Sequence, residues 1–509
     1  MSFSKVYSAQ TEMLRTTPIS VETDISRGTL YAFSIVGLPD KAVEEARDRV
    51  SAAIKNSGFK SPKSHNHKIV ISLAPGDIKK EGTHFDVAAA LSYLLANEDI
   101  EFDPEGKIFL GELSLDGKIR PTKGILPVAR FAKEYKFKEL YVPVENVAEA
   151  AIIEGILVFG VSSLRELLEH LSGEEIIDAA EKTELSEETV ISPTDFADVR
   201  GQERAKRGLL IAAAGGHNVA MYGPPGTGKT MLAKAFAGIL PNLTFEEALE
   251  STGIHSVAGI LAETFITNPP FRAPHHTSSY VSLVGGGSTP RPGEITLAHN
   301  GVLFMDEFPE FERRVIESLR QPLEDKTIAV ARARGTAHFP ANVLLIAAMN
   351  PCPCGNYGFR GKRCTCTPSG LERYRRKLSG PIMDRVDIWV EVDRIAPHEL
   401  GTAGEIGEGS EIFRNKVRKA REIQLERFRN LKVSRNGAMG AKELITKVFL
   451  EKEAEKALNL AAERMGFSPR VYHRMIKVAR TIADLEESEV VKVNHILEAV
   501  EYRPKKFDM

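Results

Sequence analysis

The chain has 509 residues, 42% hydrophobic and 27% charged, about three times the ~150 residues of an average domain, so two to four domains with ample core are expected. Lys plus Arg (67) and Asp plus Glu (69) nearly cancel, which excludes a whole-chain positive field and leaves any nucleic-acid partner to a local patch. No run of ~18 apolar residues is present to span a membrane, and neither the opening MSFSKVYSAQTEMLRTTP nor the closing RPKKFDM carries a signal or anchor motif, so a cytoplasmic protein without a membrane partner is expected.

Residues 1–172 alternate strand-like runs with helix-like runs and predict one compact α/β domain. The strands are expected at Leu30–Gly37, Lys68–Leu73, Lys107–Leu115, Glu139–Val142 and Ile156–Val161, and the helices at Lys41–Ser57, Phe85–Ala96, Ile125–Glu134 and Leu164–Leu171. Residues 173–198 begin GEEIIDAAEKTELSEETVIS, acidic and without apolar periodicity, as a solvated linker would be. Within 199–400 the near-continuous apolar runs HNVAMYG, GVLFMDE, ANVLLIAAMN and DIWVEV are separated by helices, which predicts a parallel sheet covered on both faces. From the Gly-rich GTAGEIGEGS onward, residues 401–509 read as an all-helical domain. In it Ser468 caps and Pro469 opens a helix running to about Glu487, with Val471, Met475, Val478 and Ile482 on one face.

Gly223-Pro224-Pro225-Gly226-Thr227-Gly228-Lys229-Thr230 lies between the strand HNVAMY and the helical run MLAKAFAGIL, the context a phosphate-binding loop requires. Glycines turn backbone N–H groups onto the phosphates of ATP, Lys229 neutralises the β and γ charges, and Thr230 is a ligand for Mg²⁺. The strand VLFM then ends in Asp306, expected to hold the Mg²⁺ shell, and Glu307, expected to polarise the attacking water; the strand VLLIAAM ends in Asn350, which reads as a turn residue unless the fold matches, when its amide is expected beside the γ-phosphate. A strand ending in acids is common, and the P-loop is what gives these two their meaning.

All four cysteines fall within fifteen residues, as two C-x-C pairs separated by nine residues: Cys352 with Cys354, and Cys364 with Cys366. A tetrahedral zinc site is the favoured reading over a free-thiol loop or a redox pair, although C-x-x-C spacing is commoner in zinc knuckles. The run Arg373, Arg375, Arg376 and Lys377 reads first as a solvated helix face. Thr327–Phe339 alternates apolar and polar residues around Arg334-Gly335, predicting a β-hairpin with Arg332 and Arg334 near its tip.

This order of elements resembles the AAA+ ATPases, and within them the magnesium-chelatase-like branch that includes the ComM/YifB family. The resemblance rests on FRAPHHTSSYVSLVGGG (271–287), RPGEITLAHNGVLFMDEFPEF (291–311), LRQPLED (319–325), AAMNPCPCG (347–355) and LSGPIMDRVDIWVEV (378–392), and extends over essentially the whole chain. It implies that Asn350 senses the γ-phosphate, that Arg385 is an arginine finger reaching a neighbour's ATP, and that Arg470 is the sensor of a helical lid. A finger acting in trans implies an oligomer, by family analogy a homohexamer. The resemblance further implies a ring pore lined by the Arg332/Arg334 hairpin and by the insertion carrying His275 and His276, with DNA as the partner. The activity so implied is that of an ATP-dependent DNA helicase or branch-migration motor in recombination, of DNA taken up in natural transformation. A metal-insertion motor subunit and a protein-remodelling ATPase are the alternatives.

Residues 1–172 resemble the Lon proteolytic domain, in the α/β fold shared with a ribosomal-protein domain, through LAPGDIKKEGTHFDVAAALSYL and GELSLDGKIRPTKGILPVARFAKE. That protease needs a serine and a lysine, and His84 and Leu126 stand in their places, so the domain is expected to be catalytically silent. His84 and Asp86 read either as an acid–base pair or, the favoured reading, as the capped start of a helix.

Overall fold

The computed structural model describes residues 3–12, 15–28, 30–183, 194–261, 263–287, 291–332, 335–359, 363–378, 380–395 and 407–503. It resolves into two compact units, residues 1–187 with 252–266, and residues 188–251 with 267–509.

The first unit is built on a four-stranded sheet with strands in the order Phe3–Glu12, Arg15–Arg27, His67–Ala74 and Ala32–Val36. The first pair is an antiparallel hairpin, and only the last pair is parallel. This hairpin was not foreseen, because Pro18, which lies opposite Ala9, demotes the run that carries it. Its signal is the alternation that turns Ile19, Val21, Thr23 and Ile25 inward. The helix Lys41–Asn56 is capped by Asp40, whose carboxylate accepts from Val43 N, and it buries Val43, Ala46, Val50 and Ile54 at helical spacing. A smaller parallel sheet, ordered Lys107–Phe109, Glu139–Pro143, Leu157–Val161, completes the α/β arrangement. The expected strand Lys107–Leu115 is broken at Gly111, where φ is +154° and a Cβ would lie 2.5 Å from Ile119 Cγ2.

Two expectations for this unit need correction. The helix Asp86–Ala96 starts without a side-chain cap. Asp86 is instead buried on Arg49, with Arg49 Nε donating at 2.8 Å and Leu113 N at 3.2 Å, while His84 Nε2 lies 3.1 Å from the Ala9 carbonyl. Each member of the supposed acid–base pair therefore has its own structural partner. Burial lifts the Asp86 carboxyl to about 6 against the pull of Arg49, and burial drives His84 down to about 4. Nor is the acidic stretch after Gly173 wholly free: Ala180 N and Thr183 N donate to the carbonyls of Val158 and Ala151. Residues 184–193 of the expected linker, and 401–406 of the Gly-rich stretch, lie outside the described residues.

The second unit holds a five-stranded, all-parallel sheet in the order Phe271–Arg272, Val302–Met305, Leu344–Met349, Val219–Tyr222, Ile388–Glu391. Every residue of the second, third and fourth strands is buried, as expected for strands covered on both faces. Helices follow in the tail at Ser410–Arg427, Ala441–Lys447, Lys452–Met465, Pro469–Leu485 and Val493–Glu501. They share one hydrophobic core with the sheet, in which Ile211, Val219 and Val390 belong with Val478, Ile482 and Ala499. Phe196, fully buried, joins that core and stacks on Phe413 at 4.9 Å. The Pro469 helix begins as expected: Ser468 Oγ accepts from Val471 N, and Val471, Met475, Val478 and Ile482 are buried.

Candidate nucleotide site

In an open parallel sheet, ligands collect beyond the carboxyl ends of the strands, where the connections diverge. The strand ending in Met349 lies between the strand ending in Tyr222 and the one ending in Met305, so the residues after all three ends converge. Gly223 opens the loop after Tyr222, and only glycine fits there: a Cβ would lie 2.0 Å from the Val392 carbonyl oxygen. Gly226 and Gly228 take left-handed φ values of +77° and +88°, which turns the backbone before the helix Lys229–Ala237 begins. Pro224, Pro225 and Thr227 complete the loop, with Thr227 Oγ1 donating to the Pro224 carbonyl at 3.0 Å.

The Lys229 ammonium is cradled by oxygens, 2.8 Å from the carbonyls of Gly223 and Pro224 and 3.3 Å from Asn350 Oδ1. Burial pushes its pKa down, against the opposing pull of Asp306. Thr230 Oγ1 donates to Asp306 Oδ2 at 2.7 Å. A hydroxyl and a carboxylate together form the hard-oxygen donor set that suits Mg²⁺. Glu307 follows with φ +51° and ψ +41°, a left-handed conformation that a non-glycine residue adopts at a cost of about 1–2 kcal/mol. The Asp306 carboxylate accepts from Glu307 N at 2.9 Å and holds that turn.

Two partners here were not legible in the sequence. Tyr374 OH donates to the Asn350 carbonyl at 2.9 Å and fixes the end of its strand. His276 Nδ1 lies 3.0 Å from Glu307 Oε2, with His275 packed on the His276 ring at 4.2 Å between centroids. His276, expected on a DNA path, therefore meets the acid expected to orient water.

The two arginines form a separate cluster. Arg385 Nη2 lies 2.6 Å from Glu324 Oε2, Nη1 donates to the Pro381 carbonyl, and Arg470 Nη2 contacts the other oxygen of the same Glu324. Arg385 is 8% exposed and its Nε is buried with no hydrogen-bond partner among the described residues. Burial lowers its pKa. The loop that carries it is pinned by Asn218, whose side-chain amide donates to the Arg385 carbonyl at 3.0 Å, and by the Arg474–Asp387 pair at 3.0 Å. Glu324 and Asn218 had no sequence signal of their own; Glu324 stands in the LRQPLED stretch that carried the resemblance.

The hairpin forms as Thr327–Arg332 against Gly335–Pro340, antiparallel, with Arg332 opposite Gly335. Arg334 and the side chain of Arg332 lie outside the described residues. In the basic helix Pro368–Lys377, Arg376 pairs with Glu372, Lys377 Nζ lies 2.8 Å from Glu310, and Arg375 sits 5.5 Å over the Tyr357 ring. Among the described residues no helix is long and apolar enough to cross a membrane.

A P-loop at the carboxyl edge of a parallel sheet, flanked by a strand-end acid pair and a strand-end amide, defines the nucleotide-hydrolysing P-loop class. Known families agree. Residues 195–400 match the family described as magnesium chelatase, subunit ChlI; residues 21–146 match subunit ChlI of Mg-chelatase; and residues 407–503 match its C-terminal part. The chain is 40% identical to the competence protein ComM of Haemophilus influenzae, covering 99% of this chain and 98% of the other. It is also 40% identical to YifB of Escherichia coli, covering 99% and 97% respectively. A more distant likeness, 23% identity over 60% of this chain and 37% of the other, is to the DNA replication licensing factor mcm-6 of Caenorhabditis briggsae. The chain belongs to the ComM/YifB family of magnesium-chelatase-like AAA+ ATPases.

Proposed function

We propose that the protein is an oligomeric, Mg²⁺-dependent ATP hydrolase of the cytoplasm that moves DNA through a ring pore, as a helicase or branch-migration motor in recombination. The observation that carries the hydrolase is the cluster of Lys229, Thr230, Asp306, Glu307 and Asn350 at adjoining strand ends. Lys229 is already desolvated, so exchanging its three oxygen contacts for β- and γ-phosphate oxygens costs little additional burial. Thr230 and Asp306 would hold Mg²⁺, which would supply charge neutralisation at the phosphates. Glu307 accepts a proton from the water that attacks the γ-phosphorus; the bond to the β–γ bridging oxygen breaks, and its electron pair leaves with ADP. Arg385 of one subunit stabilises the charge that develops in the next subunit's site, and Arg470 acts as the sensor of the helical lid.

DNA is favoured as the partner by the likeness to a DNA replication licensing factor and to a competence protein, the latter also favouring DNA entering by natural transformation. Repeated around a hexamer, Arg332 and Arg334 would supply phosphate contacts that the near-neutral whole-chain charge conceals. The first unit, with His84 and Leu126 at the expected nucleophile and base positions, serves assembly or DNA contact without proteolysis. The test is the ATPase rate with and without single-stranded, double-stranded and forked DNA, repeated with Arg332→Ala/Arg334→Ala. Stimulation by DNA that the double variant loses, with a salt slope of DNA affinity flatter by about 2 units, is expected. A rate indifferent to every DNA would overturn the reading. The chelatase match favours a second one, a metal-insertion motor, which requires stimulation by partner chains instead.

A further inference from the structure

The four cysteine sulfurs converge although they come from two separate turns. Cys352 Sγ is 3.4 Å from Cys354 Sγ and 3.8 Å from Cys364 Sγ, and Cys354 Sγ is 3.5 Å from Cys364 Sγ. All four, including Cys366, lie within 4.8 Å of one another. A tetrahedron of thiolates around Zn²⁺, with Zn–S of about 2.3 Å, has S–S edges of about 3.8 Å. The donor set thus fits zinc in number, softness and spacing. Tyr357 N lies 3.3 Å from Cys352 Sγ as an outer donor.

What surrounds this cluster ties it to the nucleotide loop. Cys352 follows Asn350 by two positions and is fully buried. Gly355, at φ +78°, lies so close to the P-loop that a Cβ there would come within 2.5 Å of Pro225 Cδ. Phe359, in the same loop, meets Tyr222, the residue before the P-loop, at 6.4 Å between ring centroids. The segment 352–359 therefore lies against Pro225 and Tyr222 while its first residue follows Asn350 by two positions.

We propose that the four cysteines hold a zinc ion whose function is to brace the nucleotide site, pressing the Gly355 turn onto Pro225 and setting the position of Asn350. The inference rests on the reading of residues 223–230 as an ATP site. Metal binding to a loop whose described residues form no helix or strand is folding free energy for that loop, and here it is transmitted to the P-loop through a backbone-to-ring contact.

The test uses the full chain and two readouts, zinc content by elemental analysis and affinity for a fluorescent ATP analogue. The freshly purified parent should carry about one zinc per chain. Cys364→Ser should lose the metal and weaken nucleotide affinity at least tenfold, as should stripping the parent with a zinc-selective chelator, with recovery on adding zinc alone. Gly355→Ala, which strains the left-handed turn and drives a Cβ against Pro225 while leaving all four thiols in place, should keep the metal and still weaken nucleotide binding. Metal-free protein with four titratable thiols or with a disulfide, or stripped protein that binds the analogue as the parent does, would overturn the proposal. Lys229→Ala separates the two readings: if it too leaves affinity unchanged, the ATP-site assignment has failed, not the brace alone.

Discussion

The phosphate cluster and the arginine cluster are both charged, partly buried and built on the second unit, yet they are satisfied in different ways. Around the P-loop, Lys229 meets Asn350 and Thr230 meets Asp306, so groups from three strand ends already face one another. Arg385 and Arg470 instead share Glu324, and the contacts of the two clusters have no residue in common. On the proposed reading, one chain carries a cradle for phosphate and a pair of arginines that share no contact with it among the described residues. That reading has the site completed when the arginines of one subunit meet the cradle of another, which would couple hydrolysis to assembly.

The sharpest way to break this comparison is to remove the finger. Arg385→Ala should lower turnover by about three orders of magnitude or more while leaving ATP affinity nearly unchanged, because the cradle is intact; steady-state hydrolysis beside equilibrium nucleotide binding checks it. Within the cradle, Glu307→Gln should lower turnover by about two orders of magnitude or more with binding retained, whereas Lys229→Ala should weaken binding itself. Near-normal turnover in both would contradict the assignment.

The convergence of Lys229, Thr230, Asp306 and Asn350 was readable in sequence because its signal is local: eight consecutive residues and two strand ends carry it. The arginine cluster was readable only in part, since nothing near Arg385 or Arg470 announces that Glu324 will join them. Its partners stand 61 and 146 positions away, separations at which no periodicity operates. In the first unit the sheet's leading hairpin was lost to Pro18, and Asp86 read as a cap when tertiary pairing with Arg49 had claimed it. By contrast, the helix at Pro469 was legible to within two residues at its end, because capping and a 3.6-residue stripe are both written locally.

The shared carboxylate gives a prediction about stability. Glu324→Ala leaves the buried Arg385 guanidinium without its carboxylate, and should cost about 1–3 kcal/mol in urea unfolding, less than a fully buried pair because Glu324 is 38% exposed. Arg470→Ala should cost under about 1 kcal/mol, since that guanidinium is half exposed and Arg385 keeps its partner. Equal costs would mean that the two arginines are not unequally dependent on Glu324.

An effect read through pH is expected from His217, which is buried with Nε2 2.8 Å from Thr481 Oγ1. Burial holds its pKa at about 4, below the unfolded value near 6.5, so its contribution is complete above pH 6.5 and is lost as pH falls toward 4. Unfolding free energy measured at pH 7, 6 and 5 should fall, more from pH 6 to 5 than from 7 to 6, with roughly 1 kcal/mol per pH unit from this group in the lower step, a component that His217→Gln removes.

The claim that one subunit's arginine completes another's site is tested most directly by mixing Arg385→Ala chains with Glu307→Gln chains, each inactive alone, over a titration of ratios and measuring ATP hydrolysis. Activity should reappear with a maximum at intermediate ratios, where an intact Glu307 meets an intact Arg385 from its neighbour. Hydrolysis that stays at the level of the separate variants at every ratio, in mixtures shown to co-assemble, would contradict the account.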